Sequence, residues 1–270
     1  QGFEVDYAPV DARGFVKVDA LASLLRPDTT LVSVMAVNNE IGSIQPIHDI
    51  AALLEDRPTV SFHVDAVQAL AKVATEVYLP ERVDFATFSS HKFHGLRGVG
   101  FVYIKEGKKI TPLLTGGGQE KEMRSTTENV AGIAATAKAL RLAMENQEAF
   151  ASKTQQMKEV IRKELANYPD VTIFSGEDHF APHILTFGIK GVRGEVVVHA
   201  FEEFDIYIST TSACSSKAGK PAGTLIAMGV DKSIAQTAVR LSLDLENDMS
   251  QVEQFLTKFK LIYEQTRKVR

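Results

Sequence analysis

Cys214 is the only cysteine in this 270-residue chain, and it stands in Ser212-Ala213-Cys214-Ser215-Ser216-Lys217-Ala218-Gly219-Lys220-Pro221. A buried thiol acts as a small hydrophobe among apolar neighbours. Here the neighbours are small, polar and cationic, in a stretch that reads as a loop. A lone thiol cannot close an intramolecular disulfide, and a structural zinc site would have to draw on histidines or carboxylates instead. Lys217 and Lys220 would favour the thiolate, which is the reactive form. An exposed nucleophile and an incidental surface cysteine fit this loop about equally well.

Four further segments carry side chains that could do chemistry. In Phe88-Ser89-Ser90-His91-Lys92-Phe93-His94-Gly95, a lysine stands between a strand and a glycine-rich turn, behind two hydroxyls and a histidine. An amine so placed can form a Schiff base with a carbonyl, and the hydroxyls and imidazole could hold a phosphate. A surface turn with a stray lysine explains the segment better if it is taken alone. In His63-Val64-Asp65-Ala66-Val67-Gln68, an aspartate closes a buried strand. A buried carboxylate needs a partner, and a helix N-cap is its commoner use at such a turn. Asn38-Asn39-Glu40-Ile41-Gly42 offers amides for a ring hydroxyl or a carboxylate, although Asn and Gly are also ordinary turn residues. Gly116-Gly117-Gly118-Gln119-Glu120 leads into Arg124-Ser125-Thr126-Thr127-Glu128-Asn129, where Arg124 and Thr127 could reach anions; a flexible hinge is the alternative.

These segments fall at the ends of expected strands. Residues 29–37, 60–64, 83–88 and 100–104 read as strands, the first as a strand buried on both faces. Helices are expected over 16–25 and 46–55, with a short helical patch near 66–71. The alternation argues for an α/β sheet with helices on both faces, whose ligands bind at the carboxyl ends of the strands. From 130 to 166 the composition predicts one very long helix or two in tandem. Strands near 171–174, 183–189, 206–209 and 239–243 follow. Helices are expected near 194–204, 221–228, 231–238 and 249–267. Two domains result: residues 1–129 with a mostly parallel sheet, and residues 130–270 as a connecting helix plus a small α+β domain.

Composition narrows the class. The net charge is −4 with 44% hydrophobic and 24% charged residues, which gives no basic surface for nucleic acid. No apolar run approaches membrane-spanning length and no secretory signal opens the sequence, so neither membrane nor direct nucleic-acid binding is expected. A single cysteine fits a cytoplasmic protein. Gln1-Gly2-Phe3-Glu4-Val5 already reads as a strand, and the expectation is a chain lacking its N-terminal part.

Taken in order, the segments above and Arg240-Leu241-Ser242-Leu243 resemble the cysteine desulfurases of the NifS/IscS type, within the class V aminotransferase group of fold-type I pyridoxal 5'-phosphate (PLP) enzymes. Each motif is weak alone; seven in the family's order, spanning most of the chain, are specific. The resemblance implies that Lys92 carries PLP covalently and that Asp65 pairs with its pyridine nitrogen, making the ring an electron sink. It also implies that Asn39 and Gln68 bond the phenolic oxygen and that Ser89 and His91 hold the phosphate. Thr127 would reach the phosphate of the neighbouring subunit in a homodimer. Asn39 and Arg240 would bind the substrate carboxylate, the latter through its bidentate fork. Lys92, His91 and Cys214 are then the candidate catalytic residues, with no metal. The implied reaction takes sulfur from L-cysteine as a persulfide on Cys214 and passes it to an acceptor protein, such as an iron-sulfur scaffold or a tRNA-thiolation enzyme. The alternatives are a class V aminotransferase or selenocysteine lyase on the same residues, or a fragment that keeps the fold without holding PLP. The sequence departs from the family pattern at Thr126 and Ser90, where glycine is usual, and at Leu96-Arg97, where a Pro-Lys pair is common. A phosphate-binding Gly/Thr segment and a ring-stacking histidine, which the family carries nearer its N-terminus, are not present in the sequence.

Overall fold

The computed structural model describes residues 2–211 and 223–269. It divides into two compact units, one formed by residues 28–36 and 47–147, the other by residues 1–27, 37–46 and 148–270. The contacts thus separate at Gln147/Glu148 rather than after residue 129, and the N-terminal residues pack with the C-terminal half.

The first unit is built on a sheet of four strands, β1 (Leu31–Met35), β2 (Ser61–Asp65), β3 (Phe85–Ser89) and β4 (Gly100–Ile104), ordered β1-β2-β3-β4. The first three run parallel, and β4 folds back antiparallel to β3. Strand side chains alternate between faces. Val32, Phe62, Val64, Ala86 and Phe88 are buried on one face, where Phe88 stacks on Phe101 at 4.7 Å. Ser33, Met35, His63, Asp65 and Thr87 share the other, which is only partly covered. The strand expected to be buried on both sides is therefore half-exposed: Leu31 is 55% and Met35 39% accessible. Among the described residues β1 is an edge strand with a neighbour on one side only.

Helix α2 (Ile47–Leu53) buries Ile47, Ile50 and Ala51, the i, i+3, i+4 stripe of an amphipathic helix. Residues 66–71, expected as a helical patch, form turns instead, and Ala71 takes a left-handed φ of 60°. That conformation is unfavourable for a residue with a Cβ and stops helix propagation. A single turn, α3 (Thr75–Tyr78), follows. Helices α4 (Val130–Glu145) and α5 (Gln147–Leu165) are the tandem pair, separated at Asn146. Asn129 caps α4, its side chain accepting from Gly132 N at 3.0 Å.

The second unit contains α1 (Val18–Leu24) and, after α5, an antiparallel sheet of β5 (Val171–Ile173), β6 (Ile184–Ile189), β7 (Ser209–Thr210) and β8 (Ala238–Ser242), ordered β5-β6-β8-β7. Helices α6 (Gly194–Glu202), α7 (Gly223–Ala227), α8 (Lys232–Ala235) and α9 (Met249–Val269) complete it. Its core joins Phe187 of β6 to Phe259 of α9 edge-on at 5.7 Å, and Phe201 of α6 stacks on Phe255 at 5.0 Å. The α+β expectation for this half agrees with the topology. The segment Gly2–Val5, which reads as a strand in the sequence, forms none.

Candidate active site

The carboxyl edge of the parallel sheet gathers most of the residues singled out in the sequence. Asp65 is the last residue of β2 and lies in register between Met35 of β1 and Thr87 of β3. Two bonds extend the ladder past the strand ends, Ala36 N to Asp65 O at 2.8 Å and Ala66 N to Thr87 O at 3.1 Å. The Asp65 carbonyl is thereby tied to the end of β1, and the amide of the next residue to the end of β3. Its carboxylate accepts from Val67 N at 3.0 Å through Oδ1. This is an Asx-turn, not the helix N-cap weighed from the sequence, because no helix follows. Oδ2 accepts no hydrogen bond from the described residues. Gln68, half-buried, lies on the same turn.

Ser89 closes β3, and His91 and Lys92 lie on the 3-10 turn Ser90–Phe93 that follows it. His91 is exposed and Lys92 half-buried. The turn is anchored from below: Ser90 is fully buried and its hydroxyl lies 2.9 Å from Thr136 Oγ1 on α4. The usual glycine at this position is thus replaced by a hydroxyl with a partner inside the unit. Backbone bonds Ser90 N to Val99 O at 3.0 Å and Gly95 N to Ser90 O at 2.9 Å close the loop, with His94 left-handed at φ 65°. Gly95 is required sterically, since a Cβ there would fall 1.8 Å from Ser90 Oγ. Thr126 does not adopt a positive φ, so the turn at that departure does not call for glycine. Thr127 and Arg124 are exposed, on a loop tied by Ser125 Oγ donating to Gly117 O at 2.7 Å.

Asn39 and Arg240 belong to the other unit. There, Asn38 does the turn chemistry: its Oδ1 accepts from Glu40 N at 2.9 Å and Ile41 N at 3.0 Å, and its Nδ2 donates to Thr224 Oγ1 at 3.2 Å. Arg240, on β8 between Thr186 and Ser209 in register, donates through Nη1 to the Asn39 carbonyl at 2.8 Å. Thr186 Oγ1 donates to the Glu40 carbonyl, and Glu40 Oε2 accepts from Thr224 N at 3.3 Å. Burial pushes the Glu40 carboxyl above its ordinary range, against the opposing pull of Thr224 and Arg240. Cys214, with Lys217 and Lys220, lies outside the described residues.

Several participants carry no signal in the sequence. Thr186 and Thr224 anchor the Asn38–Ile41 turn from positions 146 and 184 residues away from Glu40. Ser33 and Thr87 flank His63 on neighbouring strands, with Ser33 Oγ 2.7 Å from Nδ1 and Thr87 Oγ1 3.1 Å from Nε2. Alternation along each strand placed these side chains on one face, but only register makes them neighbours.

A carboxylate with one oxygen uncommitted, a lysine on the next turn, and hydroxyls and an imidazole beside it suit a phosphorylated pyridine aldehyde. The donor set fits PLP.

Residues 1–255 match the family model described as "Aminotransferase class-V". The chain is 50% identical over 269 residues to a "NifS/IcsS protein homolog" of Lactobacillus delbrueckii subsp. bulgaricus, covering 99% of this chain and 70% of that one. It is 38% identical over 272 residues to a "Cysteine desulfurase IscS" of Clostridium botulinum, covering 100% of this chain and 68% of the relative. A solved "NIFS-LIKE PROTEIN" superposes with a TM-score of 0.87 at 38% identity, over 98% of this chain and 69% of that one.

Proposed function

We infer that this chain, which belongs to the class V aminotransferase family, is a PLP-dependent cysteine desulfurase. The observation that carries the reading is the register of β2 and β3. It sets Asp65 at one strand end, with the turn bearing Ser89, His91 and Lys92 at the next.

Lys92 would hold PLP covalently. Asp65 would pair with the pyridine nitrogen, Asn39 and Gln68 would bond the phenolic oxygen, and Ser89 and His91 the phosphate. PLP, when bound, supplies the electron sink that labilises the bonds around the substrate's α-carbon. Arg240 would grip the carboxylate of L-cysteine, its guanidinium oriented by the Asn39 carbonyl. The Cys214 thiolate would attack the substrate's sulfur. An S–S bond then forms, the substrate's carbon–sulfur bond breaks, and protons returned to the carbon skeleton give L-alanine. L-cysteine and a thiol thus become L-alanine and a persulfide with no external oxidant. Lys92 and His91 would move protons beside the substrate.

The persulfide would pass to an acceptor protein, an iron-sulfur scaffold or a tRNA-thiolation enzyme. A homodimer is supported by Thr127 on an exposed loop and by exposed apolar side chains near it, Leu113 at 94% and Val130 at 71%. A cytoplasmic setting is supported by the lone cysteine.

Incubation with PLP and L-cysteine under a reductant should release alanine and sulfide in equal amounts. Cys214→Ser should abolish both while the visible absorbance of lysine-bound PLP stays. Unchanged turnover in that variant would remove Cys214 from the reaction.

A further inference from the structure

His63 is not accounted for by any step above, yet on the open face of the sheet its ring meets hydroxyls from both neighbouring strands. It lies two residues before Asp65, so both side chains project from the same face of β2. Its ring joins three strands: Nδ1 lies 2.7 Å from Ser33 Oγ on β1, and Nε2 lies 3.1 Å from Thr87 Oγ1 on β3. Thr87 is in turn the register partner of Asp65. A hydroxyl can donate or accept, so this pair satisfies a neutral imidazole in either tautomer.

Resting on the PLP reading, we propose that His63 is a positioning residue for the cofactor: clamped by Ser33 and Thr87, its uncharged ring fixes the strand ends that present Asp65 and the Lys92 turn, and leaves the Asp65 carboxylate free for the pyridine nitrogen. A cationic ring at this place would compete for that carboxylate. Burial works against it, holding the His63 imidazole below its usual range although the charge of Asp65 pulls the other way. Two hydroxyls, rather than a carboxylate or a carbonyl, are the partners that leave the neutral ring undisturbed.

The test uses the full chain loaded with PLP. Three forms are compared: the parent, His63→Leu, and the double variant Ser33→Ala/Thr87→Val, which keeps the imidazole and removes its clamp. Two quantities are read: the PLP dissociation constant, and the pH midpoint of the visible absorbance of lysine-bound PLP. Both variants should bind PLP about tenfold more weakly, the loss of a hydrogen-bonded link between the strands that carry the site. In both, the midpoint should move up, because a less protonated pyridine withdraws less charge from the linkage to Lys92. His63→Asn, which retains a polar atom near the position of Nδ1, should recover part of each effect. If the variants lose thermal stability while affinity and midpoint stay at parental values, His63 is merely structural and the proposal is overturned. A parent chain that takes up no PLP overturns the cofactor reading as well. A parent that takes up PLP beside variants indistinguishable from it overturns the His63 proposal alone.

Discussion

Arg240 Nη1 donates to the main-chain carbonyl of Asn39 at 2.8 Å, so a residue in the middle of β8 is oriented by a turn 201 positions earlier in the chain. The bond fixes the orientation of the guanidinium, a planar fork of five N–H donors. Lysine supplies the charge without the fork. Arg240→Lys is expected to raise KM for L-cysteine and to lower kcat/KM about 10–100-fold, the effect of one lost charge-assisted bond. The PLP absorbance should be unaltered. Steady-state alanine release against cysteine concentration checks both parts.

Glu40 should make stability depend on pH. Its folded carboxyl is raised above the ordinary 4.5 by burial, so the folded chain holds a proton that the unfolded chain has released. Stability from this group is greatest at and below the unfolded value and falls as pH rises through the window above 4.5. Glu40→Gln keeps the acceptor for Thr224 N without the charge. It should melt above the parent at neutral pH and converge with it in acid, as read by thermal unfolding across the pH range.

Lys158 is the opposite case. It is 2% exposed, its Nζ donates to Ala181 O at 2.8 Å, and its nearest ring is Phe180, 5.9 Å from Nζ. Burial, with the charge of Arg162, lowers its pKa from 10.5 to about 8. Below that value the buried charge costs on the order of 3 kcal/mol, relieved as pH climbs from about 8 towards 10.5. Lys158→Met, similar in volume, should be more stable than the parent at pH 7 by about 1–3 kcal/mol after the lost hydrogen bond is counted. The advantage should shrink above pH 9 in denaturant titrations.

Asp84 holds the start of β3. Its side chain is 3% exposed and takes Phe62 N at 2.8 Å, Arg82 Nη1 at 2.8 Å and Lys108 Nζ at 3.1 Å. Burial alone would raise this carboxyl, but the Phe62 amide and the two cations together outweigh it and leave it lowered. Its contribution is therefore full above the usual 3.8 and is lost as pH falls through the depressed folded value. Asp84→Asn leaves two cations and an amide facing a neutral group and should cost about 3–5 kcal/mol in denaturant unfolding.

Element type and order were legible in the sequence wherever periodicity was strong. The tandem helices, β4, β6 and α9 lie where the pattern puts them, whereas the strand expected over 206–209 is only Ser209–Thr210 and the helix expected over 231–238 is only Lys232–Ala235. Three things were not legible. The 66–71 segment has helix-forming composition, but a left-handed Ala71 breaks it. Local propensity loses there to the turn that Asp65 begins. The grouping of residues 1–27 and 37–46 with the C-terminal half depends on contacts far apart in sequence. The polar partners Ser33, Thr87, Thr186 and Thr224 are single hydroxyls, and only strand register and chain return make them neighbours of His63 and Glu40. The placement of Asp65 and Ser89 at strand ends, with His91 and Lys92 on the turn that follows, agrees with the expected strands, whereas their roles rest on the resemblance of the whole motif set and not on any one segment.

The Ser90–Thr136 hydroxyl pair and the missing Cβ at Gly95 have a consequence for how this sequence can diverge. Ser90 Oγ fills the space that any side chain at 95 would enter, and Thr136 answers that hydroxyl from a helix 46 residues on. A change at 90 therefore strands the Thr136 hydroxyl, while position 95 stays closed: with the Ser90 hydroxyl gone, the Ser90 carbonyl oxygen would still lie 3.0 Å from a Cβ there. Positions 90 and 136 should accordingly drift together, and 95 should stay glycine whichever residue stands at 90.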